Sequence, residues 1–335
     1  MNINKIAFIG TGAWASALAN VVSHNQYETI MYGIEEEVVN EINTKHTNGK
    51  YLKDISLDEK IKATLDLKEA ILGANIIVIA VPSFAIEQIM DEIKNLITKE
   101  TIIVNVAKGF EKNSKKTMIE YISSIMNNHQ VKGLVSLIGP SFAEEVADKE
   151  MTAIVAVSKN EAVSKIVQQV FSNNWFRVYT NTDEIGCSYC SSLKNVIALA
   201  SGILEGLNKK NNPRAALISR GLKEITRFVV KMGGEAETCL GLTGVGDLVL
   251  TCTSTTSRNF SAGVLIGKYG IDEFNRINTK TVEGIYACEI AKKIADENEI
   301  YAPIINAVYN VLFNKIPANE ELYRLMNNEL KKENI

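Results

Sequence analysis

Short runs of β-branched and aliphatic residues alternate with stretches of helical periodicity through the first half of the chain. Lys5–Gly10 (KIAFIG), Glu28–Gly33 (ETIMYG), Asn75–Val81 (NIIVIAV), Thr101–Val106 (TIIVNV) and Val135–Ile138 read as strands. Thr152–Val157 and Phe176–Tyr179 extend the same sheet. Between them, apolar positions recur at helical spacing over Ala13–Asn25, Glu35–Thr44, Ser83–Leu96, Lys115–Met126 and Asn160–Phe171. Such alternation is the mark of βαβ units and a parallel sheet. The strands are continuous apolar runs, buried on both sides, so helices are expected on both faces. After about Thr180 the pattern changes. Strand-like runs nearly vanish, and helical stretches cover Ile185–Leu207, Ala215–Met232, Val282–Glu297 and Ile304–Phe313. The expected fold class is α/β: a doubly wound, mostly parallel sheet over residues 1–180, then an all-helical C-terminal domain over residues 181–335.

Composition narrows the function classes. The chain has 335 residues, 46% hydrophobic and 22% charged, with a mean hydropathy of +0.01. Those are the proportions of a globular protein of about two domains. A net charge of −3, without a long block of like charge, argues against nucleic acid as a partner. The longest apolar run, Ala74–Pro82, falls far short of the ~20 residues that span a bilayer. The N-terminus runs straight into an apolar strand, so no signal peptide is expected. Five cysteines (Cys187, Cys190, Cys239, Cys252, Cys288) suit a reducing, cytoplasmic setting better than a disulfide framework. His24, His46 and His129 are scattered, which excludes a multi-histidine metal site. Cys187-x-x-Cys190 has no second pair or nearby histidine to complete a zinc or redox site, and both read as small helix residues.

The first strand runs into Gly10-Thr11-Gly12-Ala13-Trp14-Ala15 and then into a helix. This is the G-x-G-x-x-G/A pattern of a dinucleotide-binding Rossmann domain, with alanine in its permitted third place. Gly10 allows the tight turn, and Gly12 lets the backbone approach a pyrophosphate. Small Ala15 permits close packing, and the helix N-terminus faces the anion. Trp14 either packs the helix on the sheet or lines the cofactor cleft; its place within the turn favours the cleft. An acid ending the second strand would hold the adenosine ribose. Glu35 is the candidate, although Glu35-Glu36-Glu37 equally suits the charged first turn of the next helix.

Several segments together resemble the bacterial NAD(P)-dependent glycerol-3-phosphate dehydrogenases. They are GTGAWASALA (10–19), NVAKGFE (105–111), IGPSFAEEV (138–146), SLKNVIALASGILEGL (192–207), AALISRGLKEI (215–225), GLTGVGDLVLTCTSTTSRN (241–259) and TVEG (281–284). They span nearly the whole chain in the family's order. The resemblance implies a Rossmann N-terminal domain, a helical C-terminal domain, and reduction of dihydroxyacetone phosphate to sn-glycerol 3-phosphate. It further implies a homodimer that supplies glycerophospholipid synthesis. Departures from the family are Ala13 for serine, Ala15 for glycine, Ile34 where arginine often stands, and Cys187–Ser191 (CSYCS) for a more glycine- and alanine-rich lead-in.

Hydride delivery to a ketone creates an alkoxide, which needs a positioned proton donor. Lys194 lies within a helical stretch, flanked at helical spacing by small residues: Cys187, Cys190, Ser191, Ala198 and Ser201. A long lysine on a small-residue face leaves a hollow around its ammonium, although it could also snorkel to solvent. The resemblance places the family's catalytic lysine here. Asp247 in Gly244-Val245-Gly246-Asp247 can orient Lys194 and hold it charged, or cap the following helix. Asn195 and Thr251 are hydrogen-bonding companions. Lys108 follows a strand at its carboxyl end, where doubly wound sheets bind ligands, and next to Gly109 it could reach substrate and nicotinamide.

Ser257-Arg258-Asn259 offers a hydroxyl, a guanidinium and an amide in succession, suited to a phosphate. The family grips its substrate phosphate here, with the arginine also near the cofactor. The resemblance assigns substrate and cofactor contacts to Gly139, Ser141 and Ala143, and distal cofactor contacts to Thr281 and Glu283. Three glutamates beside Ile34 would repel a 2′-phosphate, so NAD is expected to be preferred over NADP unless Lys45 or Lys50 folds back to supply charge. Rival readings are a β-hydroxyacid dehydrogenase of related two-domain architecture, a flavoprotein and a non-catalytic NAD-binding regulator. The Ser257-Arg258-Asn259 triplet and GPSFA argue against the first, and the intact lysine against the last. A flavoprotein would be yellow.

Overall fold

A computed structural model describes residues 2–126, 129–279, 281–330 and 332–333. The chain divides into two compact units, Met1–Ser188 and Tyr189–Ile335. That division falls inside a continuous helix, Glu184–Gly206.

The first unit is built on an eight-stranded sheet. In chain order its elements begin β1 (Lys5–Ile9), α1 (Ala13–His24), β2 (Glu28–Tyr32), α2 (Glu36–Lys45), β3 (Thr47–Asn48), β4 (Leu52–Ser56), β5 (Lys62–Thr64) and α3 (Leu67–Ile71). They continue with β6 (Ile76–Ile79), α4 (Ile86–Lys94), β7 (Thr101–Asn105), α5 (Met118–Ile125), β8 (Val131–Ile138), α6 (Ala143–Ala147), β9 (Thr152–Val157), α7 (Glu161–Phe171) and β10 (Phe176–Asn181). The strand order is β10-β9-β8-β7-β6-β1-β2-β5. Six strands from β5 to β8 pair parallel in the 3-2-1-4-5-6 order of a dinucleotide fold. The order reverses between β1 and β6, and a ligand crevice opens at such a switch point. β9 joins β8 antiparallel, and β10 pairs parallel with β9.

Pleating explains the two apolar layers. Along β1, Ile6 and Phe8 pack on the face covered by α1, α2 and α7. Ala7 and Ile9 face α3, α4 and α5. Both layers form because alternate residues of every central strand are apolar. Helices therefore flank both faces, as the continuous apolar runs predict. The antiparallel β3–β4 hairpin and the short strand β5 were not foreseen; their mixed exposure hides them from a hydrophobicity pattern.

Among the described residues the second unit is helical. It contains most of α8 (Glu184–Gly206), then α9 (Asn211–Lys231), α10 (Asp247–Thr253), α11 (Arg258–Tyr269), α12 (Ile271–Ile277), α13 (Glu283–Glu297), α14 (Pro303–Phe313) and α15 (Ala318–Met326). A short 3₁₀ segment and one π-helical turn, Leu242–Gly246, precede α10. Helices α8 and α11 cross with their backbones almost touching. A Cβ on Gly202 would lie 2.0 Å from the Phe260 carbonyl oxygen, and one on Gly263 would lie 2.2 Å from that of Leu199. Gly206 and Gly267 repeat the contact one turn later. Glycine is required because any side chain would push the helices apart. This crossing carries Asn195 on α8 to Asn259 on α11.

Candidate active site

Within the first unit, the glycine turn has the geometry of a phosphate cradle. Gly10 adopts φ +121°, and its N–H donates to Tyr32 O at 2.8 Å. A Cβ there would strike the Ala80 carbonyl at 2.6 Å. At Gly12, by contrast, a Cβ would meet nothing within 4 Å. Gly12 is the N-cap of α1, with no side-chain cap and no acid in the first turn. The start of α1, with Ala13 and Ala15 in its first turn, thus leaves its terminal backbone N–H groups without a side-chain cap, which suits a pyrophosphate. Trp14 is half-buried and packs on the sheet core from within that turn, so packing and turn position coexist.

The end of β2 departs from the simple ribose reading. Glu36 and Glu37 form the charged first turn of α2, with Glu35 as its N-cap residue. The Glu35 carboxylate makes no capping bond. Its oxygens accept from Lys50 Nζ at 2.5 Å and from the Tyr51 hydroxyl at 2.7 Å. These bonds pull the Glu35 carboxyl below its ordinary range and raise the Tyr51 phenol. Lys50 has folded back; Ile34 is 83% exposed.

On the same sheet edge, Lys108 follows β7 and its Nζ lies 3.5 Å from Gly139 O. Asn105 holds this loop: its amide donates to Ala107 O and Ser136 Oγ, and its Oδ1 accepts from Ala107 N–H. Gly109 turns the chain at φ +100°. Ser141 Oγ donates to Gly139 O at 3.3 Å, and Ala143 opens α6.

In the second unit a buried polar cluster gathers on α8, α10 and α11. Lys194 is 5% exposed and Asp247 1%. Lys194 Nζ donates to Asp247 Oδ1 at 2.5 Å and to Thr251 Oγ1 at 2.9 Å. Thr251 in turn donates to the Asp247 carbonyl at 2.6 Å. The lysine therefore does not snorkel to solvent. Asp247 is the first residue of α10, not its cap, since Gly246 occupies that position. The π turn brings the aspartate there: a Cβ on Gly244 would overlap the Cys239 backbone at 2.0 Å. Cys252 lies beside the ion pair, and burial pushes its thiol up to about 12, so it stays protonated.

Asn195 pairs with Asn259 rather than with the lysine. Asn259 Nδ2 donates to Asn195 Oδ1 at 2.9 Å, and Asn259 Oδ1 accepts from Gly284 N–H. Asn195 Nδ2 remains a buried donor without a partner. Such an orphan awaits an acceptor, and a substrate oxygen fits. The Ser257-Arg258-Asn259 triplet divides its labour. Ser257 Oγ caps α11 by accepting from Phe260 N–H, and Asn259 bridges three elements. Arg258 is left with an exposed guanidinium 3.6 Å from Glu283 at the start of α13. Thr281, also exposed, lies two residues before Glu283.

The motif at Cys187-x-x-Cys190 is buried in α8, and Cys190 Sγ lies 3.6 Å from Cys239 Sγ. Among the described residues no group of three or more His, Cys, Asp or Glu side chains is arranged to hold a metal ion. No described helix is long and apolar enough to cross a membrane. Sequence reasoning missed Asn48, Tyr51 and Asn105; it named Lys50 as a cation that could fold back, and the structure places it on Glu35. The glycine pairs 202/206 and 263/267 were a readable signal of the close crossing that positions Asn195.

Two family models cover the chain. The model described as NAD-dependent glycerol-3-phosphate dehydrogenase N-terminus matches residues 5–164, and the corresponding C-terminus model matches residues 183–323. A glycerol-3-phosphate dehydrogenase described as using NAD(P)+, from Macrococcus caseolyticus, is 43% identical over 97% of this chain and 98% of its own. One from Staphylococcus epidermidis is 41% identical over 99% of this chain and 100% of its own. Among solved structures, glycerol-3-phosphate dehydrogenase from Coxiella burnetii superposes with a TM-score of 0.89 at 34% identity, covering 97% of this chain and 99% of that one. A ketopantoate reductase from Ralstonia eutropha shares the fold, with a TM-score of 0.60 at 13% identity, covering 95% of this chain and 99% of that one. The chain belongs to the NAD-dependent glycerol-3-phosphate dehydrogenase family.

Proposed function

We propose that this chain reduces the C2 ketone of dihydroxyacetone phosphate to sn-glycerol 3-phosphate, reversibly, with NADH preferred over NADPH. The observation that carries the reading is the buried Lys194–Asp247–Thr251 arrangement. A bound nicotinamide supplies the hydride. Lys194 Nζ donates a proton to the oxygen of C2 as charge develops there, and Asp247 and Thr251 fix the direction of that donation. Asn195 Nδ2 offers a further donor to a substrate oxygen. The Arg258 guanidinium binds the substrate phosphate, where a charge-assisted pair suits a dianion.

In the first unit, Gly10, Gly12 and the start of α1 bind the pyrophosphate. Lys108, held by the Asn105 loop, contributes positive charge near substrate and nicotinamide. Gly139, Ser141 and Ala143 complete that side. The second unit carries Thr281 and Glu283 as distal cofactor contacts. The reading extends to a cytoplasmic homodimer that supplies glycerophospholipid synthesis and takes no nucleic-acid partner. The test is NADH oxidation with dihydroxyacetone phosphate against unphosphorylated dihydroxyacetone. Turnover that requires the phosphate supports the reading, and equal use of both compounds overturns it.

A further inference from the structure

The β3–β4 hairpin reaches both ends of the proposed cofactor site. Asn48 is fully buried, and its amide donates to Thr11 O at 2.7 Å and Ser16 Oγ at 2.9 Å. Thr11 lies between the two glycines of the turn, so β3 holds that turn in place. Two residues on, Lys50 closes on Glu35, and Tyr51 bonds the other Glu35 oxygen. One segment of four residues, Asn48 to Tyr51, thus touches the pyrophosphate turn and the corner where a ribose would sit.

The consequence lies in the charge of that corner. A ribose diol needs an acceptor, whereas a 2′-phosphate needs a cation. Ile34 supplies neither. Glu35 is the acceptor, and Lys50 is a cation already committed to it. Lys50 is 56% exposed and sits on a surface turn, so its long side chain can change partners at small cost. Glu36 and Glu37, beside it on α2, add negative charge that no Lys50 contact offsets.

On the reading that this chain binds NAD(P)H, we infer that Lys50 sets the discrimination between the two cofactors. Glu35 and a 2′-phosphate compete for its ammonium. With NADH, Lys50 stays on Glu35 and the diol meets a neutralised carboxylate. With NADPH, Lys50 must leave Glu35, so the phosphate gains one charge-assisted contact while Glu35 is left bare. The protein therefore accepts NADPH, less tightly than NADH, and the size of the difference is held in one surface ion pair.

Direct calorimetric titration of NADH and NADPH into the substrate-free protein tests this without turnover. Lys50→Ala should weaken NADPH binding by about 10-fold more than NADH binding, the size of a single partly exposed charged contact. Glu35→Gln should do the reverse, shifting the Kd ratio toward NADPH by about 10-fold, because it frees Lys50 and weakens the acceptor for the diol. Lys50→Arg should keep the wild-type ratio. Raising the salt concentration should weaken NADPH more than NADH in the wild type, and this difference should shrink in Lys50→Ala. A Kd ratio unmoved by both Lys50→Ala and Glu35→Gln overturns the inference while leaving the cofactor reading intact. A wild type that binds neither cofactor overturns the reading itself. The pair is exposed, so neither variant removes a core contact.

Discussion

Two ion pairs of the same length stand in opposite surroundings. Lys50–Glu35 in the first unit and Lys194–Asp247 in the second are both 2.5 Å, yet their side chains are 56% and 34% exposed in one case and 7% and 1% in the other. Water and salt screen the first pair, so it adds little to folding and remains free to trade partners. The second has left water behind, and removing either member would strand the other in the interior without its partner. An exposed pair suits a choice between ligands. A buried pair suits a proton donor that must hold one direction. Distance alone says nothing about which role a pair plays.

The sharpest way to break this contrast is to remove one buried member. Lys194→Ala should slow turnover by about 10²–10⁴-fold, the loss expected for a positioned proton donor. It should also leave Asp247 as an uncompensated buried charge, at a cost of about 3–5 kcal/mol in thermal or urea unfolding. NADH affinity, measured by titration, should stay nearly unchanged. Lys194→Met combined with Asp247→Leu should recover most of the stability and none of the activity. Near-normal turnover in Lys194→Ala would remove the lysine from the reaction.

Glu224 offers a third case, a buried carboxylate held by backbone N–H groups. Its oxygens accept from the Ile304 and Ile305 N–H groups at the start of α14, at 2.9 and 2.8 Å. Burial outweighs those bonds and raises its pKa from 4.5 to about 7. The folded state thus holds its proton more tightly than the unfolded chain does. The resulting stability is full below pH 4.5 and is lost as pH rises through about 7. Wild type should therefore lose up to about 3 kcal/mol relative to Glu224→Gln between pH 4.5 and 8, as read from melts of both proteins. Parallel curves would show that this carboxyl does not titrate in the range.

Two glycines two residues apart separate folding from binding in the first unit. Gly10→Ala places a side chain at φ +121° and against the Ala80 carbonyl. It should cost about 1–3 kcal/mol of stability. Gly12→Ala meets open space and should keep the wild-type melting temperature while losing cofactor affinity. Equal effects in both assays would mean that the turn is structural only.

The smallest expected effect falls on an exposed group. Arg258→Ala removes a guanidinium whose side chain is 63% exposed. The substrate KM should rise by about 10-fold, the low end for a charge-assisted phosphate contact. Phosphorylated and unphosphorylated substrates should then become more alike. Unchanged discrimination would move the phosphate site elsewhere.

What could be read along the chain depended on how locally each feature is written. The central strands were legible because their apolar runs are continuous, and α1 because a glycine turn opens it. Helices α8, α9, α13 and α14 were legible because each exceeds two turns of clear periodicity. The β3–β4 hairpin was not. Its strands are two and five residues long, and β4 alternates weakly between buried and exposed positions. A helix after Asp247 was expected, but its start was not legible, because the glycine-rich π turn before it takes its form from contact with Cys239.

The polar cluster divides the same way. A lone lysine on a small-residue helix face is visible from sequence, because burial of a cation is costly enough to demand a reason. Its bond to Asp247, 53 residues away, is a product of packing between α8 and α10. The sheet core, the glycine turn and the residue types available for chemistry follow from local periodicity and backbone sterics, and so could be read along the chain. Folding in three dimensions was needed to pair Asn195 with Asn259, to set Asn48 on the glycine turn from 37 residues away, and to bring Lys50 onto Glu35. Those contacts join segments distant along the chain, and hydrogen-bond partners at such range are chosen by how helices and strands close on one another.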